Sequence, residues 1–149
     1  MSTRANIRIK DEYDEVLFYR HSDGYPAGAL PTLQKFLQWV DEGRIRDNVS
    51  QASGWLIMIG AAEYDKRYDG NAWVPKETLL EPPLPADSFS WKVGAYEPAT
   101  QLYPDIEYLY VVDLAARQIE VYHTSYDWDA SERTLEPIGV YGPRSEVPA

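Results

Sequence analysis

Cysteine is absent from the chain. That removes disulfides, thiolate nucleophiles and the common structural zinc sites together. A reducing cytoplasm is the simplest home for such a chain. No run of about 18 apolar residues occurs, so no segment is expected to span a membrane. The opening residues, Met1 to Asn6, have no apolar stretch behind them and do not read as a signal peptide. Positive charge is scarce: 14 Lys and Arg stand against 24 Asp and Glu, for a net charge of −10. The imbalance is uneven. Residues 1–67 hold nine basic and ten acidic side chains, whereas residues 68–149 hold five and fourteen. A field of that sign repels nucleic-acid backbones, so direct nucleic-acid binding is not expected. It suits either a solvated surface or a face turned towards a basic partner, such as the DNA groove of another protein.

What is plentiful is tyrosine. Twelve Tyr and five Trp accompany only three Phe. Tyr and Trp combine apolar area with a polar tip and are favoured at interfaces. A small domain cannot easily hide five Trp, so some are expected at a subunit or partner contact, and a homo-oligomer is one way to provide it. The length of 149 residues fits a single domain, residues 1–149, able to bury roughly 68–70% of its unfolded surface.

Periodicity predicts the elements. Residues 4–11 alternate, with Ala5, Ile7 and Ile9 on one face and Asn6, Arg8 and Lys10 on the other, as in a half-buried strand. Residues 15–21 read as its hairpin partner, stopped by Ser22-Asp23-Gly24. Residues 31–42 read as an amphipathic helix with Leu33, Phe36, Leu37 and Val40 at i, i+3, i+4 and i+7. Pro31 suits its first turn and Gly43 the position past its end. Residues 48–65 fit a buried helix better than a central strand. Val49, Ala52, Leu56, Ile59 and Glu63 keep the helical period, while Gly54 and Gly60 count against it unless they serve close packing against the sheet.

Residues 66–88, with four prolines, form a long loop, or an arm with a short helix near 75–80. Strands are expected at 89–96, 105–113, 118–123 and 138–141. The fold class is therefore α+β: an antiparallel sheet built from two β-hairpins with two helices packed on one face. The expected core is Ile7, Ile9, Val16, Phe18, Leu33, Phe36, Leu37, Val40, Leu56, Ile59, Ile106 and Val121.

Two segments gather polar chemistry. Tyr19-Arg20-His21-Ser22-Asp23-Gly24-Tyr25-Pro26 places a cation, an imidazole, carboxyl and hydroxyl groups and phenols at a strand end, where function tends to sit. Asp105-Ile106-Glu107-Tyr108-Leu109-Tyr110 has an acidic head and a tyrosine ladder. Tyr108 and Tyr110 suit stacking on a flat ligand or cross-strand packing. Asp105 and Glu107 suit pairing with Arg4, Arg8 or Arg20. The candidate ligand- or partner-binding residues are thus Arg4, Arg20, His21, Asp23, Tyr25, Asp105, Glu107, Tyr108 and Tyr110. No nucleophile elbow, two-histidine metal motif or phosphate-cradling glycine loop is present. No catalytic residue, metal or cofactor is therefore expected, and a metal- or His21/Asp23-dependent hydrolase is the weakest reading.

The segments Ser2-Thr3-Arg4-Ala5, then Tyr19 to Gly28, then Asp105 to Tyr110, resemble in that order a family of small bacterial and phage proteins. The likeness spans most of residues 2–123. The family brings no catalytic residues to carry over. The resemblance implies a phage or mobile-element accessory protein, a class that often blocks host defence by binding an effector or its signal. Two partners follow as expectations: a host protein with a basic surface, or a small nucleotide-like ligand.

Overall fold

The structure, a computed structural model, describes residues 2–68, 95–124 and 136–147. It opens with the expected hairpin, β1 (Ala5–Lys10) and β2 (Glu15–Arg20), in the register Ala5↔Arg20 to Lys10↔Glu15. Asp11 makes the turn. Its Oδ1 accepts the N–H groups of Tyr13 and Asp14, each at 2.8 Å, and its Oδ2 accepts that of Val49 at 3.1 Å. The bonds from Asp14, Tyr13 and Val49 favour the ionised form and hold the Asp11 carboxyl below its ordinary value.

Two helices follow, α1 (Pro26–Asp41) and α2 (Val49–Tyr68). The helical reading of residues 48–65 agrees with α2, but the helix is not buried all round, since Gln51, Gly54, Ile57 and Met58 are exposed. α1 begins five residues before the proline that periodicity chose as its start. Pro26 takes the first helical position, and Pro31 lies inside the helix, where the missing N–H leaves the Ala27 carbonyl without its helical donor. The buried Ala29 and Leu30 extend the apolar stripe upstream. Gly43, with φ of 77°, stands in the left-handed region past the end of α1.

The sheet is completed by β3 (Glu97–Pro98), the hairpin β4 (Tyr108–Asp113) and β5 (Gln118–His123), and β6 (Gly139–Tyr141). The strand order is β3-β2-β1-β4-β5-β6. Both expected hairpins are present, yet the sheet is mixed and not antiparallel. β1 and β4 pair in parallel at its centre, Ala5↔Tyr108 to Lys10↔Asp113. Parallel neighbours need a long crossover, and the chain between β2 and β4, which carries both helices, provides one. Residues 95 and 96 of the strand expected at 89–96 lie outside any strand, and β3 follows them. Residues 89–94 of that strand fall outside the described residues, as do residues 69–88 of the expected loop; residues 66–68 belong to α2.

Both helices cover one face of the sheet. Ile7, Ile9, Phe18, Tyr110, Val112, Ile119 and Val121 pack there against Leu30, Leu33, Phe36, Leu37, Val40, Leu56 and Ile59. Of the twelve expected core residues only Val16 is half-buried; the rest are buried. Trp39 joins this core, and Trp55 packs against it partly buried. Gly60 packs closely, though against the segment before β3 and not against the sheet as expected: a Cβ there would meet Tyr96 Cδ2 at 2.8 Å and Tyr96 N at 2.9 Å. Gly54 does not: a Cβ at that position would meet nothing within 4 Å.

The opposite face carries a smaller cluster of Leu109, Val111 and Tyr122 with Leu102 packed on it. The chain from β3 to β4 crosses this face. It is pinned by Tyr103 N–H donating to Asn6 Oδ1 at 2.9 Å and by Glu107 N–H donating to the Arg4 carbonyl at 2.9 Å. Asn6 is consequently fully buried, and its Nδ2 donates to the Phe18 carbonyl at 2.9 Å. Among the described residues no helix is long and apolar enough to cross a membrane.

Candidate functional site

The register brings the two polar segments to one end of the sheet. Ala5 lies opposite both Arg20 and Tyr108, and Tyr108 lies opposite His123. The loop holding His21, Asp23 and Tyr25 and the approach to β4 holding Asp105 and Glu107 are therefore neighbours. Side-chain alternation then sends their members to different faces.

Arg20 points towards the helices with Phe18. It is fully buried, the largest side chain among the described residues to be so. Its Nε donates to the Ser22 carbonyl at 2.8 Å, and one terminal nitrogen donates to Glu63 Oε2 at 2.8 Å. Its guanidinium also lies 5.0 Å from the centre of the Tyr96 ring, within cation–π range. Glu63 takes a further bond from Thr32 Oγ1 at 2.5 Å. These groups tie β2, α1 and α2 together inside the molecule. Tyr110 is likewise buried, and its hydroxyl donates to the Gly24 carbonyl at 2.6 Å. Burial pushes its phenol far above the ordinary value. Arg20 and Tyr110 thus occupy the interior, where their bonds fix the turn that precedes α1.

That turn is tightly held. Asp23 adopts the left-handed region with φ of 56°, Gly24 N–H donates to the Thr3 carbonyl at 2.9 Å, and Gly28 N–H donates to the Tyr25 carbonyl at 2.9 Å. A Cβ on Gly28 would sit 2.3 Å from the Asp23 carbonyl oxygen. Asp23 suits the left-handed position because a short polar side chain tolerates it.

Two aromatic groups reach the surface beside this turn. On the face away from the helices, Tyr19 Oη lies 2.9 Å from His21 Nδ1, and the Tyr103 ring meets Tyr19 edge-on at 4.6 Å. Arg4, ion-paired to Asp105, adjoins them. Burial raises the Tyr19 phenol, with Arg4 pulling it down and Glu97 pushing it up. On the helix face, Tyr108 stacks on Tyr110 at 6.3 Å and meets the exposed His123 at 5.0 Å. Tyr25, 41% exposed, stands before the first residue of α1. Of the pairings expected for the acidic head, Arg4 with Asp105 is present, while Arg8 turns to Glu15 and Arg20 to Glu63.

His21 makes its hydrogen bond to Tyr19 and makes none to Asp23. Among the described residues no group of three or more acidic or histidine side chains converges on a metal position. Sequence reasoning counted Glu63 in the helical period of α2 but not among the site residues, although its carboxylate falls where that period calls for an apolar side chain. That misfit was the available signal of a buried charge pair. Tyr103 and His123 carried no signal beyond their residue types.

The chain matches no family model, no curated protein and no solved structure in comparisons with each.

Proposed function

We propose that the protein is a non-enzymatic binding module that uses this sheet end to engage a partner protein with a basic surface. One observation carries the reading: at a single end of the sheet Tyr19, His21 and Tyr103 adjoin the Arg4–Asp105 pair on one face, and Tyr108 and His123 meet on the other. Tyrosine and histidine offer broad contact area with polar tips at low entropic cost, as interfaces require. The buried groups best equipped for chemistry, Arg20, Glu63 and Tyr110, are engaged in bonds that hold the fold. The net charge of −10 steers a basic partner during encounter. In the setting that the motifs suggest, the module is a phage or mobile-element accessory protein acting in the bacterial cytoplasm, and the partner is a host defence protein.

The test is capture from host lysate at low salt, with the retained proteins identified by mass spectrometry. The wild type should hold a specific basic protein that added salt releases, and the triple variant His21→Ala, Tyr25→Ala, Tyr108→Ala should lose it. Equal retention by both proteins, or no retention by either, contradicts the reading.

A small nucleotide-like ligand is the second reading. It is favoured by the neighbouring rings of the half-buried Tyr108 and exposed His123. A nucleotide at about 100 times its dissociation constant should add roughly 2.7 kcal/mol to stability, and a flat thermal-shift panel removes that reading.

A further inference from the structure

At the other end of the molecule, the connection between α1 and α2 and the turn between β4 and β5 frame an open cleft of about 510 Å³. Gln51 and Trp55 of α2 form one wall, Arg44 and Arg46 come from the connection, and Arg117 comes from the turn. Most of this cationic charge is compensated. Arg117 pairs with Asp47 at 3.1 Å and Asp41 at 3.5 Å, and Arg44 pairs with Glu42 at 3.0 Å. Arg46 differs. Arg4, Arg8, Arg20, Arg44, Arg117 and Arg144 all have carboxylate partners, and among the arginines whose side chains are described Arg46 alone has none.

The Trp55 wall continues along α2. Gln51, Trp55 and Met58 fall on one side of the helix at spacings of four and three, with Gly54 and Ile57 beside them. Ile57 and Met58 are 41% and 38% exposed, and the open space over Gly54 leaves a dip between them. Scattered apolar residues on a surface are ordinary. Here they run along a rigid helix into a cleft that holds an uncompensated cation.

We infer that this cleft and the adjoining strip of α2 form a docking groove for an acidic, apolar peptide segment of a partner protein. A carboxylate of that segment meets the Arg46 guanidinium, and its apolar side chains lie against Trp55, Met58 and Ile57. Charge complementarity selects this occupant. A chain of net charge −10 repels acidic segments over most of its surface, so an acidic peptide is steered to the described place where a guanidinium has no internal partner. The groove lies at the opposite end from the tyrosine-rich surface proposed above and takes a partner of opposite charge. Either assignment can fail without the other.

The experiment is panning of a displayed library of random dodecapeptides on the immobilised full chain. Selected peptides are then measured by fluorescence anisotropy against wild type, Arg46→Glu and Met58→Lys. Both positions are exposed, and unchanged urea midpoints verify that the variants fold. The enriched peptides should interleave Asp or Glu with Leu, Phe or Trp, and each variant should weaken them about tenfold or more, equivalent to at least 1.4 kcal/mol. Failure to enrich any peptide, enrichment of basic peptides, or affinities indifferent to both substitutions overturns the proposal. So does self-association of the wild type in sedimentation that Arg46→Glu abolishes, because the occupant is then a second copy of the chain.

Discussion

Replacing Arg20 with methionine should destabilise the protein more than most other single changes. Arg20 has no exposed side-chain surface and Glu63 only 11%, so solvent screening does little to soften the loss. The substitution keeps much of the side-chain volume but removes the guanidinium from the largely buried Glu63 carboxylate, to which Thr32 still donates. Breaking a buried pair by removing one partner costs about 3–5 kcal/mol. Domains of this size have total stabilities of about 5–15 kcal/mol, and about 3–5 kcal/mol corresponds to a fall in melting temperature of roughly 6–20 °C. Urea unfolding followed by tryptophan fluorescence measures it, since Trp39 is buried in the core. The double variant Arg20→Met, Glu63→Leu should recover much of the loss, because two apolar side chains replace the pair without stranding a charge. A single variant within about 1 kcal/mol of wild type, or a double variant whose losses simply add, refutes the assignment of this pair as a buried strut.

Gly28→Ala should destabilise by about 1–3 kcal/mol, because the new methyl would meet the Asp23 backbone at 2.3 Å. Gly54→Ala, with nothing within 4 Å, should stabilise α2 by about 0.5–1 kcal/mol; urea midpoints report both. Tyr96 is buried, and among the described residues its hydroxyl meets no partner in hydrogen-bond geometry, although Thr32 and Arg20 are close. Tyr96→Phe should therefore leave stability unchanged or raise it. The same variant tests the alkaline limb. Burial pushes the Tyr96 phenol from 10.0 up to about 12. A group whose folded value is raised contributes stability that is complete below pH 10 and lost as pH rises towards 12. Denaturant titrations at several alkaline pH values should show a shallower loss in Tyr96→Phe than in wild type. An equal slope contradicts the burial argument.

Local features were legible in the sequence, and long-range ones were not. The hairpin β1–β2 and the helix α1 follow from alternation and helical spacing around turn residues such as Asp23-Gly24. Pairing between the hairpins was not encoded locally, because β1 and β4 look alike whether they run parallel or antiparallel. Asn6 shows the same limit. Alternation placed it correctly on the face away from Ile7, but that face is covered by the chain around Tyr103, so a residue that reads as solvated is buried. At the candidate site the sequence located both polar segments. It could not tell that Arg20 and Tyr110 face inwards while His21 faces out, since that depends on where the helices dock. Arg117 carried no sign of its left-handed φ of 55°, a region usually left to glycine or asparagine.

The most direct test of the account places a photo-crosslinking amino acid at position 21 and, as a control on the far edge strand, at Val140, which is 52% exposed. Irradiation in host cells should join position 21, and not position 140, to one protein with a basic surface. Crosslinking that is equal at both positions, or a catalytic turnover that depends on His21, would contradict it.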